Sequence, residues 1–285
     1  MLGSSRVARA EEVAEAPAEA TEDTRPLTPE VTLRHRWAVD VPVTLGLAAV
    51  AVTGAVLHDE LSPSSCVVCD GAEPGASNAI DQGVRDALVR PDTTPARTTS
   101  HVLAFGVAPL FALSLEALAA VADRRREEIA VDVLVVAQAT AAAAALDQGL
   151  GLALARERPR HHVAARADDT IPGAAGPEGL GSLPSSHTTL AFALAASSGT
   201  VASLRGYRLA PLVWGSGVAL GLATAYTRVA SDDAWLTDTL VGAGLGTAVG
   251  VLVPLLFHGP EGAPRFGVSV REIPGGRLGA VSVAF

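Results

Sequence analysis

Three short stretches of this chain hold the side chains best suited to chemistry. Ala155-Arg156-Glu157-Arg158-Pro159-Arg160-His161-His162 concentrates guanidinium and imidazole groups. Ser182-Leu183-Pro184-Ser185-Ser186-His187 sets two hydroxyls beside an imidazole, and Thr227-Arg228 is followed ten residues later by Asp238. A phosphate ester asks for such a set. Guanidinium groups grip phosphate oxygens in pairs. Serines ahead of a helix offer hydroxyls and backbone N–H groups at the positive end of its dipole. A histidine there can protonate a leaving oxygen. Each stretch alone has a plainer reading: Ser185 as an N-cap, Arg-Pro as an interfacial anchor, Asp238 as the cap of a last helix. Their order, their spacing and their predicted common side favour the chemical one.

The elements that must position these residues are membrane helices. The chain has 285 residues, 49% hydrophobic and 18% charged, below the roughly 25% charge of soluble domains. A bilayer core needs roughly 20 apolar residues per helix. Six segments fit: Trp37–Leu57, His101–Ala122, Ile129–Ala155, His187–Leu204, Leu209–Thr227 and Thr239–Phe257. The Ala-rich third has a soluble buried helix as its alternative. All basic residues are Arg. With a cytoplasmic N-terminus, Arg34, Arg36, Arg124-Arg125-Arg126, Arg205 and Arg208 lie inside near span ends, as the positive-inside rule requires. The Arg-rich stretch after the third span then lies outside, a local breach of the rule that points to function. Asp132, Asp147 and Gln148 in the third span would suit a transporter, but structural pairing is the expected reading. Gly242, Gly246 and Gly250 form a small-residue ridge, for packing within the bundle or for a homodimer.

Around residues 37–257 sit two smaller parts. Residues 1–36 read as an acidic cytoplasmic arm, disordered over 1–30 because it has too little apolar surface to bury. It opens without the apolar run of a cleavable signal, so the first span is expected to serve as an uncleaved anchor. Residues 258–285 read as a cytoplasmic tail alternating as a β-hairpin around Pro274-Gly275-Gly276. A net charge of −9 argues against a nucleic-acid partner. Cys66 and Cys69 lie in the first outer loop, where a local disulfide is expected; a zinc site would need two more ligands, and although His58, Asp59 and Asp70 are near in sequence their spacing matches no known finger. Asn78 and Asp81 read as caps of a short surface helix ending at Leu88.

The three stretches resemble the signature motifs of the phosphatidic acid phosphatase type 2 family: Lys, six residues, Arg-Pro; then Pro-Ser-Gly-His or Pro-Ser-Ser-His; then Ser-Arg, five residues, His, three residues, Asp. The resemblance covers Trp37 to Phe257. It implies an all-α, six-helix membrane bundle acting without metal or other cofactor on lipid phosphates or prenyl diphosphates, and the Arg distribution puts that site at the periplasmic face of a bacterial inner membrane. By matching position, Arg158 and Arg228 would clamp phosphate, with Ser185 and Ser186 binding it. His187 would be the acid and Asp238 the carboxylate that orients the nucleophile. Two positions depart: Gly151 stands for the Lys and Ala234 for the nucleophilic His. Ala cannot form a phospho-enzyme, so the family's hydrolytic step lacks its nucleophile. An engineered inactive form, a natural loss, or an imidazole supplied by His161 or His162 would each account for this. The alternative function is an inactive membrane protein that binds anionic headgroups or regulates a partner. Truncation to Ala234 is expected to leave a small void beside Asp238, a carboxylate without its partner.

Overall fold

In the computed structural model, residues 31–68, 77–162, 176–261, 265–273 and 276–284 are described. Helix α1 spans Trp37–Val56 and hands over to a single turn, α2, at His58–Leu61. Helix α3, Ala79–Leu88, starts at Asn78, whose side chain accepts from the N–H groups of Ile80 and Asp81. Helix α4, Thr94–Val102, passes through a π-turn at Leu103–Val107 into α5, Ala108–Ala122. Pro109 explains the interruption: it donates no hydrogen bond and crowds the preceding turn, which a locally wider helix relieves. The long helices α6, Ile129–Leu154, α7, Ser186–Arg205, α8, Ala210–Ala230, and α9, Leu236–His258, complete the bundle. Strands β1, Arg265–Ile273, and β2, Gly276–Ala284, pair antiparallel in register from Arg265 with Ala284 to Ile273 with Gly276.

This is an integral membrane protein. Among the described residues, Trp37–Val56, Thr94–Ala122, Arg126–His162 and Leu236–His258 are long and apolar enough to cross a bilayer. Six such segments were expected, and α7 and α8 fall outside this set of four. The reason for α7 is its position. It lies in the middle of the bundle against α6, α8 and α9, buried along nearly its whole length. A helix wrapped in protein can carry Thr188, Thr189, Ser197, Ser198 and Thr200 where a lipid-facing one could not. Two of these hydroxyls are satisfied within α7 itself: Thr200 donates to the Ala196 carbonyl at 2.6 Å and Ser197 to the Leu194 carbonyl at 3.3 Å.

The glycine ridge on α9 lies against α7. A Cβ at Gly246 would stand 2.3 Å from the Thr189 carbonyl oxygen, and those at Gly242 and Gly250 would each stand 2.8 Å from a carbonyl of α7. The two backbones are so close that a methyl at any of the three positions would meet backbone on the α7 side, which fixes where the start of α7 sits.

The end of the bundle away from the motifs is closed by buried charge. Arg205 reaches Asp132 at 2.7 Å, and Asp132 also accepts from the Tyr207 hydroxyl at 2.7 Å. Asp132 is therefore a structural partner, as expected. Leu33 bridges to Pro260 and His258 contacts Gln138 at 2.7 Å, tying both ends of the helical part together there.

Candidate functional site

The opposite end of the bundle brings the three motifs together. Arg158, Ser185, Ser186, His187 and Arg228 all line one cavity of about 310 Å³, together with Gly151. Each motif arrives on a different element. Helix α6 ends at Ala155, which adopts a left-handed φ of 41°, and this sharp turn carries the Arg-rich stretch back across the bundle. Ser185 is the N-cap of α7, so Ser186 and His187 present the first turn of that helix to the cavity. The backbone N–H of Ser185 donates to the Asp238 carbonyl at 3.1 Å, pinning this start to α9. Arg228 comes from the last turn of α8.

The guanidinium groups are only partly occupied. Nε of Arg158 and Nε of Arg228 are both buried without a hydrogen-bond partner among the described residues. Buried donors of this kind normally bind a ligand or water. At Gly151 a Cβ would meet nothing within 4 Å, so the missing Lys leaves open space rather than a filled position.

Asp233, which the motif reading passed over, also lines the cavity. Its Oδ2 accepts from Arg228 at 3.0 Å, Arg97 at 3.2 Å and Ser231 at 3.1 Å, and Arg160 reaches Oδ1. Burial works against its ionisation, but Arg228, Arg160, Arg97 and Arg158 together outweigh this and hold the carboxyl below the usual carboxylate range. A depressed folded pKa stabilises the native state above the unfolded value, near 3.9, and that contribution is lost as pH falls through the folded pKa. Asp233→Asn is therefore expected to lower stability at neutral pH and to flatten the acid limb of the stability profile below about pH 4. Thermal unfolding from pH 7 to pH 3 measures it; a limb as steep as that of the parent would count against the clustered pairing.

Asp238 stands apart from the cavity lining. It is fully buried at the head of α9, where its Oδ2 accepts from the Trp235 N–H at 2.9 Å in a capping arrangement. Its Oδ1 is held by Arg156 at 2.6 Å. Arg156 also reaches Thr237 at 2.7 Å and Asp81 at 3.1 Å, and its guanidinium lies 5.5 Å from the Trp235 ring centroid. The expected void beside an abandoned carboxylate is thus not formed: a cation has taken the imidazole's role as partner. Ala234 is packed at 2% exposure, so a His there would have to displace Arg156 to reach Asp238.

Other expectations resolve with it. Asp81 sits in the first turn of α3 and accepts from the Asn78 side chain at 3.0 Å, but it is buried, and its carboxylate also serves Arg156 and Thr237. Asn78 alone caps α3. His162 is buried against Trp235 with Nδ1 3.0 Å from Glu157, and neither His161 nor His162 lines the cavity. Cys66 is disulfide-bonded, while Cys69 lies outside the described residues, as does the arm 1–30. Among the described residues no cluster of metal-ligating side chains occurs.

The cavity also holds groups that the motifs did not flag. Asp147 lines it and accepts from Thr189 at 2.7 Å. His58 lines it from the first turn after α1. His187 Nε2 stands 2.9 Å from Nδ1 of His101 on α4, and Phe105 packs edge-on to the His187 ring at 4.8 Å. Helical spacing hinted at one of these, since Asp147 lies one turn before Gly151. His58 and His101 carry no comparable signal, because they arrive on α2 and α4, which hold none of the three motifs.

Residues 132–260 match the PAP2 superfamily model. The stretch runs from α6 through α9 and includes every cavity residue taken from the motifs, so the resemblance read from those motifs stands. No curated protein matches the sequence. Among solved structures, the chain is similar to one described as the first transmembrane PAP2-type phosphatidylglycerolphosphate phosphatase, from Bacillus subtilis. Identity is 18%, coverage is 75% of this chain and 93% of that one, and the TM-score is 0.43.

Proposed function

We propose that this PAP2-like membrane protein binds the phosphate of lipid-linked monophosphates or diphosphates in the cavity between α6, α7 and α8. Arg158 and Arg228 clamp the phosphate oxygens, the α7 N-terminus with Ser185 and Ser186 supplies further donors, and His187 protonates the leaving oxygen. The observation that carries this reading is the convergence of the three motifs on one cavity with two buried, unsatisfied guanidinium nitrogens. In this reading α7 and α8 complete a six-helix bundle across residues 37–257, with the 1–36 arm and the 258–285 tail in the cytoplasm. The cavity opens to the periplasmic side of a bacterial inner membrane, the orientation favoured by the Arg bias of the short loops.

A second reading is a headgroup binder without turnover. It is favoured by Arg156, which occupies Asp238 where the family mechanism would need an imidazole partner.

A sided experiment tests both. In sealed right-side-out vesicles, an externally added, impermeant short-chain lipid phosphate is expected to bind saturably and to be displaced by a prenyl diphosphate. Release of inorganic phosphate separates the hydrolase from the binder. Binding that appears only after permeabilisation would contradict the outward site, and no binding of either ligand would contradict the function.

A further inference from the structure

We propose that His58 supplies the imidazole nucleophile that position 234 lacks; this rests on the phosphate-site reading above. Four observations lead to it. His58 is, with His187, one of two histidines lining the phosphate cavity, and it enters from α2, an element that carries none of the three motifs. Its Nδ1 is anchored, 3.1 Å from the Ser62 hydroxyl and 3.4 Å from the Asp59 carboxylate. Its Nε2 has no hydrogen-bond partner among the described residues. Finally, Gly181, ahead of the Ser185-Ser186-His187 stretch, clears space for that ring: a Cβ there would stand 2.5 Å from His58 Nε2, and the residue holds a φ of +77° that suits glycine.

This is how an activated nucleophile is arranged: one ring nitrogen hydrogen-bonded to a hydroxyl with a carboxylate close by, the other left for the substrate. With the proton on Nδ1, the Nε2 lone pair attacks phosphorus while Arg158 and Arg228 hold the phosphate oxygens. The bond from phosphorus to the leaving oxygen breaks, its electron pair goes to that oxygen, and His187 delivers the proton. Water then attacks the phosphohistidine, giving its proton to His187. The P–N bond breaks with its electrons returning to Nε2, and inorganic phosphate leaves. Atoms and charge balance with no further reactant. His187 cannot play both parts, because the acid must keep its proton while the nucleophile needs a free lone pair.

The test uses the full-length protein in detergent with a short-chain lipid phosphate. The expected result is phosphate release together with a mass increase of one phosphoryl group on the peptide containing His58, labile in acid and stable in base. His58→Gln should lower turnover at least a hundredfold and abolish the adduct, while inorganic phosphate still raises its melting temperature, which shows an intact cage. Gly181→Ala should reduce turnover through the displaced ring. Undiminished turnover in His58→Gln, or an adduct on another residue, overturns the proposal. A parent protein that responds to inorganic phosphate but forms no adduct and releases no phosphate overturns it too, and leaves the binding reading standing. If inorganic phosphate has no effect on the parent either, the cavity reading falls as well.

Discussion

Arg156→Ala is expected to cost about 3–5 kcal/mol of stability, the usual penalty for removing one partner of a buried ion pair. The substitution strands two carboxylates, because Arg156 lies between Asp238 at 2.6 Å and Asp81 at 3.1 Å, and both acids are buried. Neither acid can turn to water without moving the head of α9, where Asp238 also caps the helix. Arg208 is a fitting comparison. It pairs with the buried Asp123 at 2.5 Å but is itself 57% exposed, and its backbone N–H, which also donates to Asp123 at 2.8 Å, stays in place when the side chain is removed, so the loss is expected to be smaller. Thermal unfolding in one detergent should show a large fall in Tm for Arg156→Ala and a small one for Arg208→Ala. Equal falls would mean that the Asp81–Arg156–Asp238 cluster does not hold the site end together.

Gly246→Ala and Gly244→Ala are expected to move stability in opposite directions. At 246 the added methyl would lie 2.3 Å from the Thr189 carbonyl oxygen and 2.9 Å from the Ala193 nitrogen, both backbone atoms of α7. Backbone cannot swing aside as a side chain can, so α9 must retreat, at a cost of about 1–3 kcal/mol. Two residues away, a Cβ at Gly244 meets nothing within 4 Å, and replacing a helical glycine by alanine gains up to about 1 kcal/mol. The first change also reaches the site, because α7 starts at Ser186 on the cavity proposed to bind phosphate. Gly246→Ala should weaken phosphate binding as well as lower Tm, whereas Gly244→Ala should leave binding as it was. Stabilisation by both changes would contradict the close α7–α9 contact.

Much of the site was legible because it is written in short motifs whose spacing survives folding. Arg158, Ser185, Ser186, His187 and Arg228 were each named from sequence, and the structure sets all five around one cavity. The role of Asp238 was harder to read. Its spacing from Ala234 suggested an orphaned carboxylate, but Arg156 comes to it from a separate loop, and pairing between distant segments has no local periodicity. The same holds for Asp233, His101 and His58. The helical class was readable from hydropathy. The count of spans was less so, since α7 is shielded by its neighbours and so escapes the need to be apolar. Asp81 shows the limit most plainly: a capping residue by pattern, it is a buried ion-pair partner in three dimensions.

The central claim is that Arg158 and Arg228 form a phosphate clamp, and the most direct measurement is the melting temperature of the purified protein titrated with inorganic phosphate. A ligand that binds the native state stabilises it by RT ln(1 + [L]/Kd), about 2.7 kcal/mol at a hundredfold excess over Kd. The parent is expected to show a saturable rise in Tm that Arg158→Ala and Arg228→Ala each abolish. No rise at millimolar phosphate, or one that persists unchanged in both variants, would contradict the claim.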